Sequence, residues 1–156
     1  MLALRAILAA AALPGTLAIL LPWLVARGGA WRFEPGALRW LGAALVVPAA
    51  CGLVWCIVDF ARLGRGTLAP IDPPRFVVRG GLYRFVRNPM YVCVVSIVLG
   101  QALLYGSAAV AALALAGGAA FHLFVILYEE PTLRGLFGAE YEDYLRRVPR
   151  WLPRLP

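Results

Sequence analysis

The feature that most limits how this chain can fold is its succession of long apolar runs. Roughly 18 or more consecutive apolar residues match the hydrocarbon thickness of a bilayer. Inside hydrocarbon every backbone N–H and C=O must find its partner within the chain, so such runs fold as helices. Four stretches read as spans: residues 4–26, 38–60, 90–105 and 108–128. With 62% hydrophobic and only 15% charged residues, the chain is too apolar for an ordinary soluble domain. The expectation is an all-α, polytopic membrane protein, one domain over residues 1–156.

The first run resembles a signal peptide at Arg5 and "AILAAAALPG", but it continues to Ala26. That is longer than a signal core of roughly 7–15 residues, so it is kept as a span. Pro14, Pro22 and Pro48 lie inside spans, where neighbouring helices satisfy the freed backbone groups. "YGSA", Tyr105 to Ala108, is a tight turn that makes the last two spans a helical hairpin. The third span, at roughly 16 residues, is short for a complete crossing.

All 15 basic residues are arginine, and the net charge is +7. They lie between the spans, so they orient the protein in the membrane and do not mark a nucleic-acid surface. The loop of residues 61–88 holds Arg62, Arg65, Arg75, Arg79, Arg84 and Arg87; the tail holds Arg134, Arg146, Arg147, Arg150 and Arg154. The positive-inside rule makes that side, and both termini, cytoplasmic. Trp23, Trp31 and Trp40 mark the opposite interface. Cys51, Cys56 and Cys93 show neither CxxC nor metal-ligand spacing, so neither a disulfide nor a metal site is expected.

The loop is stiff. "APIDPPR" places three prolines in seven residues. The tail from Pro131 reads as a helix, with Leu133, Phe137, Tyr141, Tyr144 and Val148 in one stripe and Gly138 weakening its middle. Such a helix lies on anionic lipid or closes over a site; the pattern fits both.

Several residues carry possible chemistry. Arg87, Asn88 and Pro89 open the third span. Arg87 has a planar fork for a carboxylate or phosphate. The plainer reading is a charged helix flank with an Asn cap. Glu129 and Glu130 end the fourth span, either solvated or facing the basic loop as a ligand pair. His122, the only histidine, precedes Glu129 by about two helical turns, which places both on one side; a satisfied core histidine is the preferred reading. Asp59 is expected to pair with Arg62. "GRG" at Gly64 to Gly66 is no dinucleotide fingerprint, because the third glycine and a preceding strand are missing.

Taken in order, "GTLAPIDPPRFVVRGGLYRFVRNPMYV", a helical hairpin and "EEPTLRGLFGAEYEDYLRRVPRWLP" resemble the isoprenylcysteine carboxyl methyltransferase family, which is related to membrane phospholipid methyltransferases. The resemblance covers Gly66 to Pro153. It implies a membrane-embedded enzyme that uses S-adenosyl-L-methionine and a lipophilic acceptor drawn from the bilayer, seated in a bacterial inner membrane among membrane lipids. By position, Val77, Val78, Tyr83, Arg87, Asn88, Pro89, Met90 and Tyr91 would line the cofactor pocket, with Glu129 opposite and Glu130 beside it. No catalytic residue is singled out. The chain departs from the family at Asn88, where histidine is common, at Val125, where eukaryotic members carry a substrate-binding arginine, and at Cys93, where glycine is common.

Overall fold

The computed structural model describes residues 11–59, 62 and 77–153, with the backbone alone at 11–14. Most of the stiff loop, including the Gly64 to Gly66 segment, lies outside the described residues, as does the start of the first apolar run. The described residues form helices and short turns without a named strand.

The first run is π-helical over Ala11–Leu20 and continues as α1, Leu21–Arg27. Helix α2 spans Leu38–Asp59, α3 spans Pro89–Tyr105, and α4 begins at Ala108–Phe124. A π-helical turn, Val125–Glu129, joins α4 without a break to α5, Glu130–Phe137. After Gly138, α6 covers Ala139–Arg147. Two of these bodies are long and apolar enough to cross a bilayer: Leu38–Asp59, 22 residues, and Ala108–Phe137, 30 residues. The other two expected spans are shorter apolar helices, Gly15–Arg27 and Pro89–Tyr105.

Packing explains why α3 can be short. It is the centre of the bundle: Pro89, Cys93, Val94, Ile97, Val98, Gly100, Gln101 and Ala102 are all buried. Val98 and Ala102 pack with Val110 and Ala114 of α4; Val94 and Ile97 pack with Ala18 of the first helix. A helix enclosed by its neighbours meets protein over most of its surface and need not match the full lipid thickness. Glycines set its distance from α2. A Cβ on Gly42 would stand 2.7 Å from the Gly100 carbonyl oxygen, and a Cβ on Gly100 would stand 2.7 Å from that of Gly42. Small residues at such crossings let two backbones approach closely, which is how helices gain dispersion contacts where lipid is as apolar as they are. Gln101 fastens the first helix to this core, its side-chain Nε2 donating to the Ala18 carbonyl at 2.6 Å.

The hairpin forms as its turn residues dictate. Gly106 ends α3 at φ 59°, a left-handed conformation open to glycine. Ser107 caps α4 by accepting from the Val110 N–H. The segment after α1 lies against this turn through Phe33 N–H to Gly106 C=O at 2.8 Å and Ala108 N–H to Trp31 C=O at 2.9 Å.

Two sequence expectations change here. The fourth helix does not end at Tyr128; its apolar part does, and the helix runs on to Phe137. The tail stripe faces the protein and not a lipid surface. Tyr141, Tyr144 and Val148 are buried together with Val77, Leu133 and Phe137. Gly138, at φ 51°, breaks the tail into two helices, which lets α6 fold back over the end of the loop.

Candidate functional site

The site forms where three segments meet at one end of the bundle. A short 3-10 turn, Gly81–Arg84, leads into the start of α3. Pro89 fixes the first turn of α3, where its missing N–H costs nothing. Asn88 stands at the N-cap position, yet its side chain makes no cap bond. Instead, Asn88 Nδ2 donates to the Arg150 carbonyl at 3.2 Å, and the Arg87 N–H donates to the Pro149 carbonyl at 2.9 Å. The start of α3 therefore holds the chain segment beyond α6.

The π turn aims the acidic pair. A π insertion adds a residue to one turn and rotates the residues beyond it by roughly 100° relative to an unbroken α-helix. The seven-residue spacing that would align His122 with Glu129 is thereby offset. Glu129 meets α3: Tyr91 Oη donates to Glu129 Oε2 at 3.0 Å. Tyr91 is held in turn by stacking on Phe121, centroids 4.6 Å apart. His122 is exposed and meets the tail, its Nδ1 accepting from Trp151 Nε1 at 3.0 Å.

Glu130 is 4% exposed and is the ionic centre of the site. Arg87 Nη1 donates to Glu130 Oε1 at 2.9 Å. Arg150 reaches the same carboxylate with two bonds, Nε to Oε1 at 2.7 Å and Nη2 to Oε2 at 3.0 Å. Bidentate arginine–carboxylate geometry is the strong, directional form of this contact. One buried carboxylate thus ties α5 to the start of α3 and to the tail after α6.

The two neighbouring carboxyls, just past the apolar part of α4, have opposite electrostatics. Burial is the largest influence on Glu129 and raises its pKa from 4.5; the Tyr91 hydrogen bond opposes this and the Glu130 charge adds to it. Burial also pushes Glu130 up, but the Arg150 hydrogen bonds and the Arg87 and Arg150 charges outweigh it, and its pKa falls below 4.5. Two adjacent acids are thereby separated into one that resists ionisation and one that is firmly ionised.

Of the residues expected to form the site, Arg87, Tyr91, Glu129 and Glu130 come together directly. Asn88 and Pro89 hold the turn between them. Val78 and Tyr83 are buried in one cluster with Cys56, against which Met90 packs, and Val77 packs on the tail stripe. The expected Asp59–Arg62 pair is replaced by another arrangement. Asp59 Oδ2 is buried against Gly81 without a hydrogen-bond partner among the described residues, while Arg62 is exposed.

The sequence pattern allowed the tail to close over a site but did not single out the residues that fasten it. Arg150 supplies the bidentate contact, and Tyr144 Oη donates to the Tyr83 carbonyl at 2.7 Å from within the core. Arg79 adds an outer fastening, to the Glu140 carbonyl at 2.6 Å and its carboxylate at 3.2 Å. The only sequence signal for Arg150 was a lone cation between two prolines, which by itself reads as an interfacial charge.

The sequence matches the family model for phospholipid methyltransferase over residues 38–140, more than half of the chain. That range contains both walls of the site and ends before Arg150. The chain is similar to the cobalt-zinc-cadmium resistance protein CzcN of Cupriavidus metallidurans, 32% identical over 115 residues, which cover 74% of this chain and 49% of that protein. It is similar also to the nickel-cobalt-cadmium resistance protein NccN of Alcaligenes xylosoxydans xylosoxydans, 31% identical over 123 residues, covering 74% and 53%. The chain spans about half the length of these curated relatives.

Proposed function

Since this chain belongs to the phospholipid methyltransferase family, we propose that it transfers a methyl group from S-adenosyl-L-methionine to a lipophilic acceptor at the cytoplasmic face of a bacterial inner membrane. The observation that carries this reading is the meeting of Arg87 and Tyr91 with Glu130 and Glu129 at one end of the bundle, at 2.9 and 3.0 Å.

The residues present fit the cofactor's chemistry. Arg87 uses Nη1 on Glu130, and its Nε is buried without a hydrogen-bond partner among the described residues, a donor suited to a carboxylate. Glu129 accepts one hydrogen bond, from Tyr91, and retains acceptor capacity for an ammonium or ribose hydroxyls. Of the other residues that the resemblance places around the cofactor, Val78, Tyr83 and Met90 share one cluster with Cys56, and apolar and aromatic side chains of this kind suit a flat base. When bound, S-adenosyl-L-methionine supplies a methyl group already activated by its sulfonium. The chain's own task is then to orient donor and acceptor in line and to exclude water. Glu130 does not contact the cofactor in this reading; it locks Arg87 and Arg150 in position.

For the acceptor, an isoprenoid or prenylcysteine-like carboxylate would need a cation. Val125 is buried and supplies none, and Arg87 and Arg150 are both engaged by Glu130. These observations favour a lipid amine, as in a phospholipid N-methyltransferase, over a carboxylate. Glu129, close to the apolar part of α4, suits an amine better than an anion.

Calorimetry on the detergent-purified protein with S-adenosylhomocysteine tests the cofactor. Saturable binding is expected; no heat and no thermal stabilisation would leave an inert, lipid-binding scaffold as the better account. Labelled S-adenosyl-L-methionine offered to a lipid extract then identifies the acceptor. Label in an aminophospholipid supports the amine reading, and a base-labile methyl ester supports the carboxylate.

A further inference from the structure

Two arginines share the Glu130 carboxylate unequally. Arg87 reaches it with one nitrogen, Nη1 to Oε1 at 2.9 Å. Arg150 reaches it with two, Nε to the same Oε1 at 2.7 Å and Nη2 to Oε2 at 3.0 Å. Arg87 is the more deeply buried cation, its side chain 12% exposed against 32% for Arg150. The parallel two-bond fork is the strong form of an arginine–carboxylate contact. Here the outer arginine has taken the fork, and the inner one is left with a single bond. Arg87 therefore has donors to spare. A guanidinium carries five N–H groups in one plane, and Arg87 Nε is buried without a hydrogen-bond partner among the described residues. A buried donor left unpaired costs free energy, which a ligand acceptor recovers. The backbone around Arg150 is fixed on every side. Its carbonyl accepts from Asn88 Nδ2, the Pro149 carbonyl accepts from the Arg87 N–H, and the Trp151 indole donates to His122. Three consecutive residues are thus pinned to the start of α3 and to α4. Arg134 is engaged elsewhere, its Nε donating to Glu142 Oε1 at 2.7 Å.

We propose that Arg150 is a positioning residue that keeps the donors of Arg87 free for the carboxylate of S-adenosyl-L-methionine. This role rests on the cofactor reading above and adds to it a residue beyond the matched family range of residues 38–140. By holding both Glu130 oxygens, Arg150 fixes the plane of that carboxylate and limits Arg87 to one bond. Without Arg150, Oε2 loses its only donor among the described residues. Arg87 is the cation already in contact. Turning its fork onto both oxygens satisfies Oε2 and uses up a donor otherwise open to a ligand. Glu130 and the ligand carboxylate then compete for one guanidinium. Lysine at position 150 would keep the charge, but its ammonium is a point donor without a planar fork. It would hold one oxygen and leave the other to Arg87.

The test compares two ligands by calorimetry on the full-length chain in detergent. One is S-adenosylhomocysteine; the other is its decarboxylated analogue, which keeps the nucleoside and the amine and lacks only the carboxylate. Wild type is expected to bind the decarboxylated ligand at least about tenfold more weakly, the worth of a charge-assisted hydrogen bond. Arg150→Met and Arg150→Lys should each lose at least about fivefold in affinity for S-adenosylhomocysteine while binding the decarboxylated ligand within about twofold of wild type, so that the preference for the carboxylate collapses. A tail that is merely loosened would weaken both ligands in parallel, and parallel loss in the variants would overturn the proposal. An Arg150→Lys chain that keeps the wild-type preference would also overturn it, because charge without the fork would then suffice. Equal binding of the two ligands by wild type would do the same. If wild type binds neither ligand, the cofactor reading falls and this role falls with it, so the two failures are told apart. Should Arg150→Met not elute as a folded, monodisperse species, Arg150→Lys carries the comparison alone.

Discussion

Glu130→Gln is the sharpest perturbation of this architecture, because it keeps the side chain's shape and removes one charge. Arg87 and Glu130 are 12% and 5% exposed in their side chains, so their pair is largely shielded from water. Removing one member of a buried pair leaves the other uncompensated and typically costs about 3–5 kcal/mol. Arg150 makes two bonds to the same carboxylate, but its side chain is 32% exposed, so water screens part of its share. The total expected loss is therefore about 3–5 kcal/mol. For a chain of this size each kcal/mol shifts the unfolding midpoint by about 2–4 °C, giving a fall of roughly 6–20 °C. Thermal unfolding in detergent followed by circular dichroism reads it. The loss should also depend on pH. The Glu130 pKa is depressed in the folded state, so its contribution is complete above the ordinary value of 4.5 and disappears as pH falls through the lower folded value. Wild type and variant should then converge in acid. A midpoint unchanged at pH 7, or a difference that grows in acid, would refute the assignment of Glu130 as the ionic tie.

Glu129→Gln should behave in the opposite way. A carboxyl whose folded pKa is raised stabilises the fold at low pH and loses that contribution as pH rises through the raised value, so the substitution should leave stability at pH 7 unchanged or higher and flatten its pH dependence. The same variant should lose S-adenosylhomocysteine binding by calorimetry, and so should Glu129→Ala. Gly100→Ala would place a Cβ 2.6 Å from Val46 Cγ2 and 2.7 Å from the Gly42 carbonyl, at a cost of about 1–3 kcal/mol by thermal unfolding. Gly117→Ala, with nothing within 4 Å of its Cβ, is the clash-free control in that measurement and should gain up to about 1 kcal/mol from helix propensity. His122→Ala removes the acceptor of the Trp151 indole and should cost about 0.5–1.5 kcal/mol while leaving cofactor affinity intact; a strong loss of affinity would place His122 in the site.

Much of the frame was legible because hydrophobicity and turn chemistry act locally. The boundaries of α2 and α3 fall within a residue or so of those expected, and the glycine and serine of "YGSA" end one helix and cap the next. The pairing of the "RNPMY" segment with the two glutamates was expected from a resemblance, and the geometry gives it a physical form in the contacts of Tyr91 and Arg87. The role of Asn88 was not legible: a polar residue before a helix-starting proline reads as a cap, whereas its amide holds the tail.

What the sequence by itself determined was a set of apolar helices with a basic, aromatic segment and an acidic pair at their ends, because burial and helix termination depend on residues near one another in the chain. Which carboxylate meets which partner was decided by tertiary structure alone. The π turn at Val125–Glu129 rotates the acidic pair, sending Glu129 to Tyr91 and Glu130 to Arg87. The break at Gly138 folds the tail back so that Arg150 completes the ion cluster. Both depend on a change in helical register and a reversal of chain direction, whose consequences appear only once distant segments pack.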